Sequence, residues 1–218
     1  MTTRPKALAT VLVLCSLSAS AASPTAGLSF SHNDWEIACD NTRTCRAAGY
    51  HSEEAQLTVS VLLTRQAGPR QVIIGELMLG NFGNEDLFEK SPPALKLAMR
   101  VNGRSLGPVV INKESLTAKL SANQVTALLE ALPRKSNIEW ILGKQRWHLS
   151  DLGAAAVLLK MDEFQGRLGT PGALMKKGTK SEDAVLPALP KPVVTVTLFI
   201  LKRSSQCLPQ CFGLFGGQ

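Results

Sequence analysis

Leu95-Lys96-Leu97-Ala98-Met99-Arg100-Val101-Asn102-Gly103 alternates apolar and polar side chains for seven residues and then breaks at an Asn-Gly pair. A period of two puts Leu95, Leu97, Met99 and Val101 on one face of a strand and leaves Lys96, Ala98 and Arg100 on the other. Asn and Gly both tolerate positive φ, which the tightest hairpin turns demand, so the chain is expected to return at once through residues 106–111. Pro108, which has no N–H for a ladder, marks an edge or a bulge in that return. A strand that comes back after two residues pairs antiparallel, and this sets the expectation for the whole chain.

The same grammar recurs on both sides of this hairpin. Trp35, Ile37 and Cys39 share one face of a short strand, Asp40-Asn41-Thr42-Arg43 is turn chemistry, and Cys45, Ala47 and Gly49 continue on the return. Residues 57–64 and 72–79, separated by Ala67-Gly68-Pro69-Arg70, read as another pair, and residues 138–142 and 145–149 turn at Gly143-Lys144. Two segments change to helical spacing. Ser121 with Gln124 forms a capping box, flanked by Leu120 and Val125 as a hydrophobic staple; Val125, Leu128, Leu129 and Leu132 follow, and Pro133 stops the helix. A second helix is expected from the N-cap Ser150 and Asp151 towards Arg167, with Glu163 and Arg167 as an i,i+4 surface pair. The order hairpin, helix, hairpin, helix is a weak internal repeat. The expected fold class is α+β: mostly antiparallel β-hairpins with two helices packed on the sheet.

The first residues carry a different signal. Arg4 and Lys6 precede an uncharged apolar stretch at 7–17, and Ala19, Ala21 and Ala22 offer small-residue cleavage sites, so residues 1–22 read as a signal peptide. Its apolar run is shorter than the roughly 20 residues that span a bilayer, so no stable membrane span is expected after cleavage. Bulky Leu14 before Cys15 argues against lipid attachment. Of 5 cysteines, Cys15 leaves with the signal, and Cys39, Cys45, Cys207 and Cys211 remain. In an oxidising compartment the local pair Cys39 with Cys45 is expected as a disulfide, with Cys207 and Cys211 as a second pair among three connectivities. An α+β domain is expected over residues 28–169, a Pro/Gly/Lys-rich linker over 170–192, and a short apolar tail over 193–218.

Composition excludes several classes of function. The net charge of +7 falls to about +5 without Arg4 and Lys6, yet the basic residues are scattered and aromatics make up 5% of the chain, so nucleic acid is not the expected partner. A mildly basic surface suits an anionic envelope polymer or an envelope protein. Cys39 and Cys45, five residues apart with no His-x3-His elsewhere, do not fit a zinc site, and neither a metal nor a cofactor is expected. His148-Leu149-Ser150-Asp151 holds the letters of a hydrolase triad, but neighbours so close in sequence cannot place the base between nucleophile and orienting acid. His32 near Asp34 is better read as a hydrogen-bonding pair at a strand start. Adjacent Asp162 and Glu163 point to different parts of a helix, unlike facing glycosidase carboxylates.

Four stretches carry a resemblance: Ser31-His32-Asn33-Asp34-Trp35-Glu36, Cys39-Asp40-Asn41, Cys45-Arg46-Ala47-Ala48-Gly49-Tyr50, and Leu149-Ser150-Asp151-Leu152-Gly153-Ala154-Ala155-Ala156 followed by Lys160-Met161-Asp162-Glu163-Phe164-Gln165-Gly166-Arg167. Together they resemble the bacterial periplasmic family known as domain of unknown function 1176, over about residues 28–192. The Asp-Trp-x-x-x-Cys piece alone is also similar to the invasion-associated locus B family. The resemblance implies a Gram-negative, periplasmic envelope protein with no assigned reaction. Residues after about 194 depart from the family's continuation, as a truncated or frame-shifted end would. The expectation is a non-enzymatic binding or envelope-interaction module acting through a sheet edge or the stretch from Arg46 to His51; the alternative is a hydrolase-like enzyme using His32 or His148 with a nearby carboxylate.

Overall fold

Leu95, Leu97, Met99 and Val101 do face one way, into a single apolar core, and Lys96, Ala98 and Arg100 face solvent. The computed structural model describes residues 27–80, 88–89 and 92–191; the expected signal at 1–22, the tail at 193–218, and Cys207 with Cys211 lie outside the described residues. Ten strands follow in chain order: β1 Leu28–His32, β2 Trp35–Cys39, β3 Cys45–Tyr50, β4 Val59–Arg65, β5 Ile73–Leu79, β6 Ala94–Val101, β7 Arg104–Asn112, β8 Thr117–Lys119, β9 Ile138–Leu142 and β10 Gln145–Leu149. Helix α1, Ala122–Ala131, lies between β8 and β9, and α2, Ala154–Phe164, follows β10. The architecture is thus mostly antiparallel β with two helices.

All strands belong to one sheet, ordered β1-β2-β3-β4-β5-β8-β7-β6-β9-β10, and every pairing is antiparallel. Asn102 (φ 49°) and Gly103 (φ 78°) make the turn their chemistry requires. The expected irregularity at Pro108 is a bulge: Ala98 pairs with Pro108 but Arg100 with Ser105, so Leu106 and Gly107 share one partner position. Short β8 bridges β5 to β7 of the β6–β7 hairpin, and β6 carries β9 and β10 on the other side.

The far end of the sheet returns to the near end. Trp35 Nε1 donates to the carbonyl of Ser150 (2.8 Å), Ser150 N to that of Tyr50 (3.0 Å) and Asp34 N to that of Leu152 (3.2 Å). Trp35 is fully buried opposite Gly49, where any Cβ would collide with the indole ring. Helix α2 then covers β1, β2 and β3, while α1 packs on β5 and β6. α1 keeps its capping box: Gln124 N donates to Ser121 Oγ (3.3 Å) and Ser121 N to Gln124 Oε1 (2.9 Å).

The second helix departs from expectation at both ends. Its N-cap is Gly153 at φ 94°, not Ser150, because the chain must first close on the β1–β2 turn, where a side chain at 153 would strike the His32 carbonyl. Ser150 Oγ instead accepts from Leu152 N (3.2 Å), and Asp151 accepts from Ser136 N (2.5 Å). Glu163 and Arg167 do not pair. Glu163 meets Lys160 at 2.8 Å, while Arg167 turns inward and is 1% exposed.

Residues 170–191 lie along the domain. Ala173 and Val185 are buried, Leu174 N and Met175 N donate to Asp162 (2.7 and 2.9 Å), and Leu189 N donates to the Thr42 carbonyl (3.3 Å). A short 3-10 turn, Glu182–Ala184, is capped by Ser181.

Candidate functional site

Cys39 and Cys45 occupy facing positions of β2 and β3 and are disulfide-bonded, with Cα atoms 4.0 Å apart and both side chains buried. The five residues between them are organised by one carboxylate. Asp40 accepts from Thr42 N (2.9 Å), Thr42 Oγ1 (2.6 Å) and Thr44 N (3.0 Å), and meets Arg46 Nη1 at 3.3 Å. Partial burial opposes its ionisation, but these donors outweigh that and hold its carboxyl below the ordinary range. Nearby, the Tyr50 hydroxyl donates to Glu36 (2.5 Å); this bond, with some burial and the carboxylate charge, pushes the phenol up to about 12.

Among the described residues neither histidine named by the sequence hydrogen-bonds a carboxylate, although Glu139 is the cross-strand partner of His148 and is taken by Arg146. His32, on β1, stacks on Phe30 with ring centroids 6.4 Å apart. His148, on β10, meets Asn137 Oδ1 through Nδ1 at 3.3 Å, while the neighbouring Asp151 is engaged by Ser136. Three of the four letters of His148-Leu149-Ser150-Asp151 therefore serve three separate local contacts, and the geometry assembles no relay among them.

The densest polar chemistry is inside the domain. Arg65 continues the inward row of β4 after Val59, Val61 and Leu63, and its guanidinium donates to Asp162 Oδ1 (2.7 Å) and Gln165 Oε1 (2.6 Å). Gln165 Nε2 in turn donates to the carbonyls of Arg43 (2.8 Å) and Arg65 (3.0 Å). Burial lowers the Arg65 guanidinium, and Asp162 opposes the shift. Beside it Arg167 donates to the Gly68 carbonyl (2.5 Å) and to Glu182 (3.2 Å). Burial works against Glu182, yet donors from Gly172 N, Thr170 and Arg70 N and the charge of Arg167 hold its carboxyl below the ordinary range. Arg65, Asp162, Gln165 and Arg167 are sealed from solvent and Glu182 is partly exposed; together they fasten residues 170–185 to the sheet and α2.

A surface with binding chemistry lies on the outer face of the later strands. Lys96 and Arg100 of β6, Arg146 and His148 of β10, and Lys144 of the β9–β10 turn are all exposed. One carboxylate sits among them: Glu139 of β9, opposite both Arg100 and His148, takes Arg146 at 3.0 Å and is nearly buried. One acid cannot neutralise four permanent cations, so the face is positive among the described residues. The matching outer face of β2 to β5 is mixed, with Glu36 and Glu76 beside Arg46, Ile74 and Met78. A cleft of about 310 Å³ runs beside β10, between Lys144, Arg146 and His148 on one wall and Gln56 and Leu57 on the other. Among the described residues no group of three or more His, Cys, Asp or Glu is placed to hold a metal ion, and no helix is long and apolar enough to cross a membrane.

Sequence reasoning pointed to the disulfide and the Arg46 to His51 stretch but passed over the Arg65–Asp162–Gln165 network and the cationic face. Arg65 was visible as an arginine at the apolar parity of a strand; the face needed the β6–β9 pairing, which joins segments almost forty residues apart.

The family model described as "Protein of unknown function (DUF1176)" matches residues 29–204, in agreement with the resemblance carried by the four quoted stretches and running past residue 194, where a departure from the family was expected. Among solved structures, one described as the crystal structure of invasion associated protein B from Bartonella henselae is similar to the chain, with 16% sequence identity and a TM-score of 0.38, covering 64% of this chain and 99% of that one. No curated protein matches the chain.

Proposed function

We propose, from the premise that this chain belongs to the family described as protein of unknown function (DUF1176), that it is an exported periplasmic protein that binds an anionic envelope macromolecule without transforming it. The observation that carries this reading is the array of Lys96, Arg100, Lys144 and Arg146 around Glu139, the one acid among them in the described residues. Neighbouring strands lie about 4.8 Å apart, well inside a Debye length of about 10 Å, so such charges act on a ligand as one field. A positive face of this kind raises the local concentration of polyanions and speeds their encounter. Export is supported by the charged start and apolar stretch of residues 1–22 and by a disulfide, which persists in oxidising compartments.

Titration of the oxidised protein with inorganic polyphosphate tests the binding face. Binding should weaken steeply with added salt, and the double charge reversal K96E/R146E should lower affinity about tenfold or more, since each reversed charge removes an attraction and adds a repulsion. The same reversal at Arg46, on the mixed face, should change little. Binding that ignores both salt and K96E/R146E overturns the reading. Export is tested separately by cell fractionation: recovery of the full-length, reduced protein from the cytoplasm would remove it.

A further inference from the structure

Among the described strands β10 ends the order and is paired on one side, with β9. The β9–β10 connection is a two-residue turn, Gly143-Lys144, with Gly143 at φ 58°. In such a hairpin the flanking residues, here Leu142 and Gln145, exchange both their hydrogen bonds, and alternation makes Trp140 with Trp147 and Ile138 with Leu149 the other exchanging pairs. The backbone N–H and C=O of Arg146 and His148 therefore point away from β9. Ser150 has the same parity and shows where that side leads, because its N–H donates to the Tyr50 carbonyl. Between that bond and the turn, Arg146 and His148 make no such backbone bond to another described residue, and the cleft beside β10 opens there.

We propose that this edge receives an extended, acidic segment of a partner protein, laid along β10 as a further strand. The proposal rests on the binding reading above and names its partner class. Backbone groups of Arg146 and His148 supply ladder bonds to any extended chain, as in other cases of strand addition. Charge selects among such chains: Lys144 and Arg146 line the cleft, and the acid shared by Arg146 is faced by Arg100 on its other side. Glu53 and Glu54 belong to the opposite loop but do not line the cleft. Side chains of an added strand that share the outward face with Arg146 and His148 recur at every second residue, so the recognised pattern is acidic at alternate positions. A polyanion without a peptide backbone satisfies the charge and not the ladder.

Two peptides of alternating Glu and Thr decide the matter, one unmodified and one N-methylated at the amides that would face β10. Their charge is the same. The unmodified peptide should bind, seen by fluorescence anisotropy, and the methylated one should bind about tenfold or more weakly, since it lacks the donors of the ladder. His148→Pro should weaken the unmodified peptide similarly, because it deletes an outward N–H and no bond to β9; if that variant does not fold, the peptide pair still decides. Equal affinity for the two peptides, with polyphosphate still bound, overturns the added strand and leaves the cationic face standing. Failure of the intact protein to bind polyphosphate or either peptide removes both.

Discussion

Arg65 continues a row of valine and leucine into the core, and a lone guanidinium there would be costly. Asp162, in the last turn of α2, and Gln165, which caps its end, make it tolerable by taking its donors, and Asp162 uses its second oxygen to hold Leu174 N and Met175 N. Removing either partner leaves an uncompensated buried charge, so Arg65→Met or Asp162→Leu is expected to lose about 3–5 kcal/mol of stability. The double variant should recover much of that loss; urea denaturation of the three proteins is the check. Tyr50 offers a cleaner reading, being the chain's one tyrosine. Its phenol, raised above its ordinary 10.0 to about 12 by Glu36, should show that value in a tyrosinate absorbance titration, and Glu36→Gln should move it back towards 10. Because the folded-state value is the higher one, the stability this bond contributes is complete below about pH 10 and is lost as pH rises through about 12.

At the scale of elements, periodicity and turn chemistry made most of the strands legible. Residues 138–142 and 145–149 coincide with β9 and β10, and the capping box of α1 is made by the two side chains named for it. Local signals suffice there, since a two-residue turn or a cap is settled within four residues. The start of α2 was not legible, because Gly153 is required by a carbonyl in a distant turn, and the inward turn of Arg167 depends on Glu182 and Gly68. The disulfide acts at this scale too. It closes a seven-residue ring between facing positions of one hairpin, for which chain entropy predicts about 2.4 kcal/mol. Cys39→Ser with Cys45→Ser should therefore lower stability by about that amount while circular dichroism at low temperature stays unchanged. Ser121→Ala should cost about 1 kcal/mol, with Gln124 losing its reciprocal partner.

For the molecule as a whole, the candidate binding face was the least legible feature. Its cations are spread from Lys96 to Arg146 in sequence, and only the pairing of β6 with β9 gathers them. Acid response is another property of the whole. Asp40 and Glu182 both have carboxyls held below their ordinary values of 3.8 and 4.5, so the unfolded chain takes up their protons first. Stability from these groups is present above those values and is lost as pH falls through the lowered ones, so unfolding by acid should begin below about pH 4.5. D40N/E182Q should be less stable at neutral pH yet respond more weakly to acid, as denaturation at a series of pH values will show. Finally, the indole of Trp35 is latched by a carbonyl 115 positions later. A chain emerging from its amino end therefore holds an incomplete first half, its oily side uncovered, until nearly all of the domain has been made. Closure of this latch must wait until synthesis has passed residue 150, and during that interval the early strands are more open to misassociation than their final stability suggests.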